Sequence, residues 1–268
     1  MPMLMFGGLT GSKGNPGTDL GERMLNAVAS QSIRHLFTQS ESVDVHIRCF
    51  PSSKLLQGSI DSFKMSGRNL VIRKDFLVEE MSFETDSVSI DPSSVLGGKI
   101  RLKQSTQAVA QVVLTEDGIN KAFHSELVKQ RMVNLDAEEL TNLSGGEPVS
   151  FRDVKVELLP ENQMTISAKT DLPNRKDILL SLKAKLNIER RRRLSFSSPE
   201  FVAESVPEDV RGLSQVLTMA FAQVLDNMVD LDRFDLDGVT LRINRLETHG
   251  KKLVFSGYAQ IDHFPGNG

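Results

Sequence analysis

The chain has 268 residues, enough for one large β-rich domain or two smaller halves. With 32 Lys plus Arg against 35 Asp plus Glu it carries no global field to draw in nucleic acid, so an anionic partner has to be met by a local patch. No apolar run approaches the roughly 18 residues needed to span a bilayer, and the one cysteine, Cys49, excludes an internal disulfide and fits a reducing compartment.

The first residues, MPMLMFGGLTGSKGNPG, place glycines inside a short apolar patch and no basic residue ahead of it, which fails as a secretory signal. Residues 1–18 are expected to form a flexible tail, whose Met3, Leu4, Met5 and Phe6 offer a small apolar tip. Apolar residues at Leu20, Met24, Ala27, Val28, Ile33, Leu36 and Phe37 follow a three-and-four spacing, which predicts a helix over Leu20 to Gln39 capped by Asp19.

Strands are predicted through Val43 to Cys49, Ser59 to Ser66, Asn69 to Ile72, Val78 to Thr85 and Lys99 to Leu114. Within this stretch PSSKLLQGSI at Pro51 to Ile60 is echoed by PSSVLGGKI at Pro92 to Ile100, each opening an alternating run. Consecutive strands with so little between them favour antiparallel pairing, because parallel neighbours need a crossover of a dozen or more residues. Cys49 alternates in phase with Val43, Val45 and Ile47, which reads as a buried strand thiol. Thr115 is placed to cap a second helix with Ile119, Ala122, Phe123 and Leu127 on its inner face.

The polar passage Asn142 to Pro148 reads as a joint between halves. Beyond it, Val154, Val156 and Leu158 are expected to pair with Met164, Ile166 and Ala168 across a turn at Pro160, Glu161 and Asn162. The run from Ile178 to Ile188 is the longest strict alternation in the chain. Ser205 and Glu208 have capping-box spacing ahead of a helix running to Met228, and two last strands, Val239 to Leu246 and Lys252 to Ile261, meet at His249 and Gly250.

Motifs for chemistry are thin. The five histidines lack the spacing of a zinc helix, no serine sits in G-x-S-x-G, and the glycines around Lys13 do not match a phosphate loop. Aspartates from Asp226 to Asp237 fail as a calcium loop, since aligning Gly238 puts Arg233 at the first ligand position and Asn244 at the closing one. Neither an enzyme activity nor a cofactor is expected. The run Arg190, Arg191, Arg192, Arg193 is the sharpest local charge, read either as a solvated strand end or as a contact for anionic headgroups. With no Trp and one Tyr, base stacking is poorly supplied, and no nucleic-acid partner is expected. Met24 and Val28 on the first helix and Leu217 and Phe221 on the last are expected to face the dry side of the sheets, some of them lining a groove.

Four segments, PSSKLLQGSIDSFKMSGRNLVIR, DSVSIDPSSVLGGKIRL, LTEDGIN and FDLDGVTLRINRLETHGKKLVFSGYAQI, together resemble the bacterial LmeA-like phospholipid-binding family over Leu20 to Ile261. That family is similar to the tubular lipid-binding proteins. The resemblance implies an α+β fold of long, strongly twisted antiparallel sheets wrapped around long helices. The order helix, strands, helix, strands, helix, strands itself suggests a single domain over 19–264 built of two similar halves, about 19–141 and 149–264. The expected function is to hold a phospholipid or other acyl lipid in an apolar groove, as a carrier or a protein peripheral at a membrane surface with anionic headgroups. The alternative is a protein-interaction scaffold without lipid. Exported members begin with a signal or anchor, so a cytoplasmic location is expected here.

Overall fold

The computed structural model describes residues 20–34, 36–51, 53–72, 76–97, 99–228, 230–231 and 238–263. Twelve strands are described: β1 Ser42–Arg48, β2 Ser59–Ile60, β3 Ser62–Ile72, β4 Phe76–Thr85, β5 Val88–Ser89, β6 Thr106–Thr115, β7 Phe151–Leu159, β8 Gln163–Leu172, β9 Arg175–Glu189, β10 Arg193–Phe201, β11 Val239–His249 and β12 Lys252–Ile261. The helices described are α1 Leu20–Arg34, α2 Ser53–Leu56, α3 Pro92–Leu96, α4 Glu116–Phe123, α5 Glu126–Lys129, α6 Glu138–Ser144 and α7 Arg211–Asp226. The fold is α+β and mostly antiparallel sheet: a six-stranded sheet in the order β1-β3-β4-β6-β12-β11, a four-stranded sheet in the order β10-β9-β8-β7, and the small pair β2-β5. Neither large sheet closes on itself.

Period-two alternation sets the faces. On β1, Val43, Val45 and Ile47 point inward, and on β9 the residues Ile178, Leu180, Leu182, Ala184 and Leu186 are each 3% exposed or less. Helix α1 packs on β1 through Leu25, Ala29 and Ile33, α7 packs on β9 and β10, and α4 wedges between β4 and β7, joining the sheets. The expected halves interlock, since β11 and β12 from the end of the chain complete the sheet begun by β1, β3, β4 and β6. Residues 1–18 and Asp19 lie outside the described residues.

Several boundaries differ from expectation for identifiable reasons. Helix α1 stops at Arg34 because the following segment turns to join the sheet, with Thr38 donating to the Val71 carbonyl and Val71 to that of Gln39, both at 2.8 Å. The strand expected from Lys99 starts only at Thr106. Ahead of it, Asp91 donates to the Arg101 carbonyl at 2.8 Å and Lys103 to that of Ser89 at 2.9 Å, so this segment folds back locally. The echoed segments each open on a short helix, α2 and α3.

The capping box at Ser205 does not form. Ser205 sits in a 3₁₀ turn and donates to the Val202 carbonyl at 2.9 Å, and α7 begins only after a second such turn over Glu208–Val210. Strand β10 carries a bulge near Ser197, with Ser198 at φ 50°, which breaks the periodicity that would have announced it. Helix α6 occupies the start of the expected joint and ends on Gly145, whose left-handed φ of 77° favours a residue without Cβ. Among the described residues no helix is long and apolar enough to cross a membrane.

Candidate functional site

Register lays apolar side chains in rows across the inner face of the six-stranded sheet, because directly paired residues share a face. One row runs Val45, Met65, Phe83, Ala110, Gly257, Ile243, and the next runs Val43, Gly67, Met81, Val112, Phe255, Leu246. Ala108, Ala259 and Leu241 follow on the far side. The β6 and β12 positions therefore offer a low floor of Ala108, Ala110, Gly257 and Ala259, beside the taller Phe83 and Met65.

A pocket of about 70 Å³ opens between the C-terminal end of α1 and this face. Ile33, Leu36 and Phe37 line it from the helix side, Phe63, Met65 and Ile72 from β3, Met81 and Phe83 from β4, and Val239 and Ile261 from β11 and β12. Its wall is apolar and includes no titratable side chain. Ile72 pairs with Phe76 at the β3–β4 turn, whereas Ile261 pairs with Thr106 at the opposite end, so the lining spans the sheet lengthwise. Such a surface has no group to transfer a proton or attack a carbonyl.

The expected groove residues lie elsewhere. Leu217 and Phe221 are fully buried between α7 and the four-stranded sheet, where the Phe221 ring meets Phe151 with centroids 4.6 Å apart. Val28 is half-buried against the core, and the side chain of Met24 lies outside the described residues. The pocket takes its helix-side wall from Ile33 in the last turn of α1 and from Leu36 and Phe37 in the segment that follows the helix.

The arginine run closes the β9–β10 hairpin, with Arg190 and Arg191 at φ 48° and 61°. The tip leans on β11: Ile243 donates to the Arg191 carbonyl at 2.7 Å, and the Arg191 guanidinium stacks over Tyr258 at 4.7 Å while bonding Asn244. Arg193 pairs with Glu189 at 2.7 Å and Asp226 at 3.4 Å. Arg191 and Arg193 are thus engaged within the protein.

Polar side chains elsewhere serve the fold. The Glu116 carboxylate is 11% exposed, and burial alone would raise its pKa, yet the Leu158 N–H at 2.9 Å and Lys251 at 3.1 Å hold it below the ordinary glutamate range. Cys49 is buried, its thiol pushed up by burial and donating to the Ser59 carbonyl. No cluster of metal-binding side chains occurs among the described residues.

A family model described as LmeA-like phospholipid-binding matches residues 17–257. No curated protein and no solved structure matches the chain.

Proposed function

This chain belongs to the LmeA-like phospholipid-binding family, and from that premise we propose that it shelters a phospholipid acyl chain in the pocket between α1 and the six-stranded sheet. The observation that carries the reading is a pocket whose lining side chains are all apolar. Magnitudes set how much of the chain must be covered. A volume of about 70 Å³ admits roughly five methylene-sized groups, and at about 0.8 kcal/mol each they supply some 4 kcal/mol. Micromolar affinity takes about 8 kcal/mol. The remainder of the chain is accommodated in this reading by displacing Phe83, Leu102 and Leu241, which pack over Ala108, Ala110 and Ala259, each 5% exposed or less.

In this reading α1 and the sheet form a half-closed tube of the tubular lipid-binding kind, and carriage of a lipid away from a bilayer is the activity it serves. Val239 tests it, because it borders the pocket and is only half-buried, so a larger side chain there fills the site without breaking the core. Native mass spectrometry of the freshly purified parent should find bound phospholipid, and Val239→Trp should lose most of it at unchanged melting temperature. A parent that carries no phospholipid and takes none from mixed micelles would sink the proposal.

A further inference from the structure

At the end of the six-stranded sheet where the pocket meets Val239 and Ile261, two loops carry exposed apolar side chains and a surplus of cations. Phe50, 70% exposed, precedes α2, and Leu56, 79% exposed, is the last residue of α2. The loop is held in shape from inside. Asp61 accepts from the Phe50 N–H at 2.8 Å and from Lys54 at 2.5 Å, and Lys54 donates its own N–H to the Pro51 carbonyl at 3.0 Å. Asp61 thus ties both Phe50 and Lys54 to the start of β3.

The second loop is bound to the first by the β2–β5 pair and by the Ile90 N–H, which donates to the Gly58 carbonyl at 2.9 Å. It adds exposed Lys99, Arg101 and Lys103 to Arg48 and Lys54 of the first, against the carboxylates Asp61, Asp86 and Asp91 of the loops and Asp262, which accepts from Ser105 at 2.6 Å. These loops follow Arg48 at the end of β1 and precede Thr106 at the start of β6, and Thr106 pairs with Ile261 of the pocket. Docking surface and pocket end therefore share one end of the sheet.

We propose that this loop pair is the tip by which the protein docks on an anionic phospholipid bilayer, Phe50 and Leu56 entering the interface and Arg48, Lys99, Arg101 and Lys103 meeting lipid phosphates, while Lys54 stays paired with Asp61. The choice of a bilayer as occupant rests on the phospholipid-binding reading. It also follows from size and charge. Two protruding apolar side chains fall far short of the roughly 800 Å² that each partner contributes to a stable protein interface. Shallow apolar insertion next to basic residues suits reversible binding to an anionic surface. The β9–β10 arginines are a weaker candidate, because Arg191 and Arg193 are already engaged within the protein.

The absence of tryptophan from the chain makes the test direct. In Phe50→Trp the single indole should move to shorter emission wavelength with vesicles of phosphatidylglycerol and phosphatidylcholine in equal parts, and be quenched by lipids brominated in the acyl chain. The response should fade as salt rises and be small with phosphatidylcholine alone. The double variant Phe50→Ser, Leu56→Ser should partition onto the mixed vesicles about tenfold less or worse, having lost two inserting side chains. Uptake of a short-chain phospholipid offered as monomer should match the parent, so failure of the pocket and failure of the tip are separately visible. The tip is refuted if the parent ignores the anionic vesicles, if the Phe50→Trp emission stays unchanged on bound protein, or if the double variant partitions like the parent. An emission shift that grows with protein concentration in the absence of vesicles would assign the surface to a second copy and overturn the proposal too.

Discussion

Asn26, Asn120 and Asn162 each close a sheet edge by imitating a neighbouring strand. Asn26 accepts from the Ile47 N–H at 2.7 Å and donates to its carbonyl at 3.3 Å, along β1. Asn120 does the same to Val156 on β7 at 2.7 and 2.9 Å, and Asn162 accepts from Thr248 and donates to Leu246 on β11, both at 2.9 Å. At the fourth edge the Asp226 carboxylate accepts from the Phe196 N–H of β10 at 2.8 Å. Side chains thus occupy backbone groups that could otherwise recruit a foreign strand. Glu116 adds charge to the β7 clamp, and its pKa is held down in the fold, so its stabilisation is present above the ordinary glutamate value of 4.5 and is lost as pH falls through the lower folded value. Glu116→Gln should cost about 1–2 kcal/mol at neutral pH, and its urea midpoint should converge on the parent's as the solution is acidified below that value. A gap that persists unchanged into acid would mean the charge contributes nothing. None of these clamps was legible in the sequence, because the partners stand 21, 36 and 86 residues away, outside any local pattern.

Elements were legible where the signal is local. Thr115 caps α4 as its position suggested, its hydroxyl accepting from the Gly118 N–H at 3.0 Å, and Val156 pairs with Ile166 and Leu158 with Met164 across the expected turn. Helical spacing likewise marked the dry face of α7. Spacing reports that a face is dry, but a packed core and a ligand groove dry a helix equally, and only the opposing surface distinguishes them. Phe221 faces Phe151 and strand β9, so Phe221→Ala is expected to act through stability, by about 3–5 kcal/mol. Urea unfolding measures that loss, and phospholipid content per folded molecule should stay near the parent's. Depletion of lipid from well-folded variant protein would extend the binding surface to α7.

At the scale of the whole molecule, the pocket exists because the two ends of the chain share one sheet. Its first wall comes from α1, β3 and β4, and its last from β11 and β12, which reach the inner face only by pairing β12 with β6. Sequence order suggested two similar halves but left open that the last hairpin joins the sheet begun by the first strands, because strand periodicity is silent about which edge a hairpin joins. Gly257 is where that arrangement is tightest. It lies opposite Ile243 beside the β11 bulge, and a Cβ there would come within 2.9 Å of the Arg242 carbonyl carbon and 3.0 Å of the Ile243 Cα. These atoms are backbone, so they cannot rotate aside. Gly257→Ala should therefore push β11 from β12 at a cost of about 1–3 kcal/mol, moving Val239 away from Ile261 and lowering bound phospholipid as well as the urea midpoint. Gly212, on the open face of α7, has no atom within 4 Å of an added Cβ. Gly212→Ala should raise the midpoint slightly, which separates a general effect of alanine from the clash at β11. If Gly257→Ala matches the parent in both midpoint and lipid content, the β11–β12 hairpin has more slack than its close approach implies, and the pocket does not depend on it.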